Sequence, residues 1–126
     1  MTRAETNRRI GQECGIRAVE HESGAWYLVW PDGLRCSTNL GETEDQAWLR
    51  CCPPFDSDDT AILDACRRRL TSYEEMEDFC SHLRAVVVRE NDLRYPISKR
   101  IPFCFYNASA KQRAEAFLLT TGDILP

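Results

Sequence analysis

Residues 26–33 read Trp-Tyr-Leu-Val-Trp-Pro-Asp-Gly. The first five are all aromatic or aliphatic, which predicts a strand over 26–30 covered on both faces. Pro31-Asp32-Gly33 then predicts a hairpin turn. Proline presets φ at the first turn position, and glycine accepts the left-handed one. Residues 34–37 are expected to return as the partner strand.

Upstream, Thr2 and Glu5 form a T-x-x-E start that opens a helix over 2–14. Ile10 and Cys14 lie i,i+4 on it, Gly15 can end it, and so thin an apolar stripe suits a surface position. Downstream, Thr43 with Gln46 opens a short helix carrying Ala47, Trp48 and Leu49, which Pro53-Pro54 stops. Asp56, Ser57, Asp58 and Asp59 precede a helix with Ile62, Leu63, Cys66 and Leu70 on one face. Thr71 with Glu74, or Ser72 with Glu75, caps the next, which presents Tyr73, Met76, Phe79, Cys80 and Leu83.

Residues 85–88, Ala-Val-Val-Val, read as a short strand, with a continued helix as the alternative. Residues 91–100 hold Pro96 and mixed charges and read as an exposed loop. Residues 101–106, Ile-Pro-Phe-Cys-Phe-Tyr, read as a strand with Pro102 near its start or on an edge. The last helix starts at Ser109, boxed with Gln112. Its inner face is Ala110, Ala114, Phe117 and Leu118, and Gly122 ends it.

The order α, ββ, α, αα, β-loop-β, α predicts an α+β chain. The simplest arrangement is one domain over 1–126, an α/β/α-type sandwich whose small, mostly antiparallel sheet is covered by helices. Trp26, Leu28, Trp30, Phe79, Phe103, Phe105 and Phe117 are expected in its core. At 126 residues, 43% apolar and 29% charged, the chain can build that core without a disulfide or metal. No apolar run reaches the ~18 residues of a membrane span, and the polar start lacks a secretory signal. A cytoplasmic location is therefore expected. Seven cysteines, an odd number, fit reduced thiols used mostly as small core hydrophobes. The net charge of −4 argues against nucleic acid as a partner.

Several of these stretches occur together in a known family. Glu-Cys-Gly at 13–15, Trp-Pro-Asp-Gly at 30–33, Asp59 opening the helix that holds Ala61, and Asn-Ala-Ser-Ala-Lys-Gln-Arg-Ala-Glu-Ala-Phe-Leu-Leu-Thr-Thr-Gly at 107–122 follow one another along the chain. In this the sequence resembles the phage ABA-sandwich domain family, small proteins of tailed phages and prophages. Residues 112–118 match the family's C-terminal segment closely. Ile16 stands where the family has an aromatic residue, and residues 58–66 lack its histidine, so no role of that histidine carries over. The resemblance implies a phage origin, a layered fold and residence in the host cytoplasm. It implies no activity.

The residues themselves offer little catalytic chemistry. The chain has no C-x-x-C or H-x-x-x-H pair, and adjacent Cys51 and Cys52 rarely chelate one ion, so no metal or other cofactor is called for. Cys80 and His82 diverge on a helix, while Cys52, before two prolines, could be accessible. Asp56, Asp58 and Asp59 are better explained as partners of a helix N-terminus than as ligands of Mg²⁺ or Ca²⁺. No phosphate loop or nucleophile elbow is present, so an enzyme would need a site of unfamiliar design.

The basic residues form the candidate site. Arg67, Arg68 and Arg69 end one helix; Arg94, Tyr95, Lys99 and Arg100 form a cationic stretch followed by Tyr106; and Lys111 and Arg113 stand in the first turn of the last helix. Arginine, tyrosine and a helix N-terminus together can bind a phosphate and stack a base. A solvated face explains them more simply, and the cations that end the helix at 67–69 also favour its C-terminal dipole. The leading expectation is an accessory binding protein that captures a host macromolecule, directed against host defence. The alternatives are a sequestering protein for a small anionic or nucleotide signal and an enzyme. The apolar load of three tryptophans and the 101–106 stretch also suggests a homodimer.

Overall fold

The elements of the fold begin at side-chain caps. In a computed structural model, which describes residues 1–91 and 107–126, the Glu5 amide donates to Thr2 Oγ1 and the Thr2 amide to the Glu5 carboxylate. That reciprocal box opens α1 (Arg3–Glu13). The chain then forms β1 (Arg17–Glu20), β2 (Trp26–Val29), α2 (Glu44–Cys51), α3 (Asp59–Arg69), α4 (Tyr73–Asn91) and α5 (Ala110–Thr121). Five helices and a two-stranded antiparallel sheet among the described residues make the chain α+β. The contacts gather into two units, Met1–Pro54 and Phe55–Pro126.

In the first unit β2 pairs with β1, not with residues 34–37. Arg17 faces Val29 and Glu20 faces Trp26. The Pro31-Asp32-Gly33 turn forms, with the Gly33 amide donating to Trp30 O at 2.9 Å and φ of +92° at Gly33. After it the backbone pairs with β2, among the described residues, only through two isolated bridges, Val29 with Arg35 and Trp26 with Gly41, and through Trp30 and Cys36 amide bonds to Leu34 O and Leu28 O. The expected return strand fails because Leu34 points outward, 63% exposed, and has no face to bury. β2 is also less enclosed than its composition predicts: Leu28 and Val29 are buried, but Trp26 and Trp30 only in part.

Helix α2 packs on both strands and on α1. Thr43 caps it by accepting from the Gln46 amide, and Gln46 Oε1 accepts from the Glu42 amide, one residue earlier than a capping box uses. Ala47, Trp48 and Cys51 form its buried stripe, and Leu49 falls outside it. The buried Gly11 stands in the middle of α1 because Trp48 presses there. A Cβ on Gly11 would come 3.0 Å from Trp48 Cζ3.

In the second unit Asp58 caps α3, accepting from the Ala61 amide. Ile62, Ala65 and Leu70 are buried, whereas Leu63 is exposed. Helix α4 is capped by Ser72 with Glu75 and runs unbroken through residues 85–88, so no strand forms there. Val86 and Val87 continue the helical stripe begun by Phe79 and Leu83, and that packing overrides the β preference of valine. The stripe is rotated from the one the sequence suggests: Tyr73, Met76 and Cys80 are exposed. Helix α4 reaches Asn91, the first residue of the expected 91–100 loop, while the expected strand over 101–106 and the core positions Phe103 and Phe105 lie outside the described residues.

Helix α5 opens with the Ser109–Gln112 box and packs mainly on α4, also touching α3. Ala110, Gln112, Ala114, Ala116, Phe117 and Leu118 are all buried, so it is enclosed around much of its girth. Gln112 is fully engaged: its Oε1 accepts from the Ser109 amide and its Nε2 donates to Glu90 at 2.8 Å. Gly122 ends the helix at φ +81°, a conformation that costs other residues a Cβ clash. The Gly122 and Asp123 amides then close back on Leu119 O and Leu118 O.

Candidate functional site

Of the residues singled out in the sequence, Arg94, Tyr95, Lys99, Arg100 and Tyr106 lie outside the described residues. Lys111 is exposed on the first turn of α5. Arg113, two positions on, points elsewhere; it is 13% exposed and lies 3.5 Å from Asp59 at the start of α3. Its charge thus meets a carboxylate. Arg68 and Arg69 are likewise held by acids, Asp64 at 3.0 Å and Glu75 at 2.7 Å. These pairs do not bring Lys111 and Arg113 together on one surface.

The described concavity of clearest chemistry lies instead on the first unit, between α1 and α2. It is an open groove of about 210 Å³ lined by Ala4, Glu5, Arg8, Asp45, Trp48 and Leu49. Residues 4, 5 and 8 share one face of α1, and residues 45, 48 and 49 share one face of α2. The Arg8 guanidinium lies over the Trp48 ring, 5.3 Å from its centroid, and donates to Asp45 Oδ1 at 2.9 Å. Asp45 sits in the first turn of α2, where the helix dipole also favours its charge. Trp48 is buried and forms the floor, while Leu49 stands 66% exposed at the edge.

An open site with an apolar floor and a cation pinned over an aromatic ring suits a side chain from a partner better than a small enclosed ligand. Sequence reasoning missed it. Arg8 and Asp45 are 37 positions apart, with nothing in the sequence to join them. The one available signal was Leu49: on α2, the spacing of Ala47, Trp48 and Cys51 leaves it off the buried stripe.

Behind the groove lie thiols. Cys52 Sγ donates to Asn7 O at 3.3 Å and Cys51 Sγ to Asn39 O at 3.2 Å. Burial, reinforced by neighbouring Cys36, Cys14 and Cys51, pushes the Cys52 thiol up to about 12, against a slight opposing pull from Arg8. Burial also raises Cys51, with Arg35 and Arg50 pulling the other way. The six described cysteines are all thiols, and Cys104 lies outside the described residues. Among the described residues no group of three or more His, Cys, Asp or Glu side chains is arranged to hold a metal ion. No described helix is long and apolar enough to cross a membrane.

Compared with known proteins, the chain matches no family model, no curated protein and no solved structure. The resemblance to phage ABA-sandwich proteins rests on the residues quoted for it. Two of those pieces meet in space: a Cβ on Gly15 would come 2.7 Å from the Pro31 ring, so Glu-Cys-Gly and Trp-Pro-Asp-Gly are parts of one contact.

Proposed function

We propose that this chain is a small phage-encoded accessory protein that works by binding, capturing a host protein through the α1–α2 groove. The observation that carries the reading is the juxtaposition of exposed Leu49 with the Arg8–Trp48 stack. Tryptophan and arginine supply a large share of binding energy at protein interfaces. The Asp45 contact fixes the Arg8 side chain before a partner arrives, which lowers the ordering cost of association. Interference with a host defence is the biological role this reading favours, in keeping with the phage motifs.

The test is capture from host lysate by the tagged full chain, followed by native mass spectrometry. A stoichiometric host protein is expected on the wild type. Leu49→Asp, at an exposed position that leaves the core intact, should weaken its retention by roughly 30-fold, the loss of ~2 kcal/mol typical of an interface hot spot. Equal retention by Leu49→Asp would overturn the groove as the interface. A small-molecule adduct in place of a protein would turn the reading toward ligand sequestration.

A further inference from the structure

The β1–β2 register fixes which way each residue of β1 turns. The His21 amide donates to Ala25 O, so the hydrogen-bonded pairs of this ladder are 21 with 25, 19 with 27 and 17 with 29. The amides and carbonyls of Ala18 and Glu20 therefore point to the outer edge of β1, away from β2. The far edge of β2 is already filled: Trp26 exchanges bonds with Gly41, and Leu28 O accepts from the Cys36 amide. Beyond β1 no third strand follows among the described residues, and β1 packs on β2 and α2. The open edge is short. It ends on one side where the outward Ile16 amide donates to Gly11 O at 2.9 Å, and on the other at the turn that leads to Ala25.

We propose that β1 is a self-association edge, pairing antiparallel with β1 of a second copy about a two-fold axis at Val19. This goes beyond the binding reading and does not depend on it. Among the described residues β1 holds the one ladder edge left open, so two copies joined edge to edge must both use it. A two-fold axis normal to the sheet sets one residue opposite its own copy, which leaves three registers. Centred on Glu20, two carboxylates stand directly opposite each other. Centred on Ala18, Glu20 falls opposite the partner's Ile16, whose amide is held by Gly11 O. Centred on Val19, Ala18 falls opposite the partner's Glu20, and Glu20 opposite the partner's Ala18. Each of these pairs exchanges two bonds, so all four outward groups of each copy are satisfied. No two carboxylates and no two guanidinium groups stand opposite. Val19, half-buried in the single chain, meets the partner's Val19 as the close non-bonded pair, with Cα atoms about 4.5 Å apart. The product is a four-stranded antiparallel sheet in the order β2-β1-β1-β2.

The test is sedimentation velocity of the reduced full chain over a range of concentrations. A concentration-dependent shift from 14.5 kDa to twice that mass is expected. Ala18→Pro removes one outward amide from each copy and leaves the ladder to β2 intact. It should weaken the dimer roughly 30-fold, the loss of one hydrogen bond donated by each copy. Val19→Cys reads the register whether or not Ala18→Pro folds, in a Cys80→Ser background that removes an exposed thiol. On mild oxidation, peptide mapping should find position 19 joined to position 19 of the second copy, because the non-bonded spacing suits a disulfide. A wild type that stays at 14.5 kDa at every concentration overturns the proposal. So does a dimer that a folded Ala18→Pro leaves unchanged, or one in which position 19 forms no link.

Discussion

Gly11 of α1 and Trp48 of α2 stand so close that a single added carbon on the glycine would touch the indole at 3.0 Å and Ile16 Cδ1 at 3.4 Å. Helix propensity alone would favour alanine at position 11 by ~1 kcal/mol. Overpacking against a buried ring costs about 1–3 kcal/mol, and Trp48, floored in the unit's core, has little room to give. Gly11→Ala should therefore destabilise the protein by ~1 kcal/mol, seen as a lower urea midpoint at unchanged slope. A raised midpoint would show that the ring yields.

Gln112 is the one buried polar side chain among the described residues, and it satisfies two groups at once, the Ser109 amide and the Glu90 carboxylate. Gln112→Leu would leave both without that partner. A loss of about 1–3 kcal/mol is expected in denaturant titration. Arg89, which holds Glu115 through two 2.9 Å contacts on the more exposed side of the same helix pair, should matter less: Arg89→Ala is expected to lower the denaturation midpoint by less than Gln112→Leu does.

The Arg69 guanidinium beside Glu75 holds its carboxyl below the usual range, with Ser72 adding hydrogen bonds and desolvation opposing them. A depressed folded value means that the unfolded chain takes up this proton first as pH falls. The stabilisation is therefore present above the unfolded value, near 4.5, and is lost as pH drops through the folded one. Glu75→Gln should be less stable than the wild type at pH 7, and the two should converge in acid. A gap that persists unchanged to low pH would assign the effect to packing.

For Cys52 the sign reverses. Its folded value near 12 lies above the ordinary 9.0, so the unfolded chain loses this proton first as pH rises. Its contribution to stability is full below about pH 9 and declines from there toward pH 12. Iodoacetamide at pH 8 should label exposed Cys80 quickly and Cys52 only after denaturation, as followed by peptide mass. Rapid native labelling of Cys52 would contradict its protected environment.

The helix starts were legible because each cap is a local event: Thr2, Thr43, Asp58 and Ser109 accept from an amide three residues ahead, and that spacing is visible in sequence. β1 was not. Arg-Ala-Val-Glu has one β-branched residue and charged ends, and it becomes a strand only because β2 supplies the partner edge. Residues 85–88 misled because three consecutive valines outweigh helix spacing when read alone. The groove was hidden for a similar reason. Trp48 and Leu49 are equally apolar, and only their different angles about α2 make one a floor and the other a rim.

Every wall of that groove belongs to residues 1–54, and so do the partners of α1, β1, β2 and α2 named above. Chains are synthesised from the N-terminus at ~5–20 residues per second. The 72 residues from Phe55 to Pro126 therefore take roughly 4–14 s to add after Pro54. Hairpins and helices close within microseconds. The groove's complete set of residues is thus translated seconds before Pro126 is added, and capture during synthesis becomes a matter of ribosome timing.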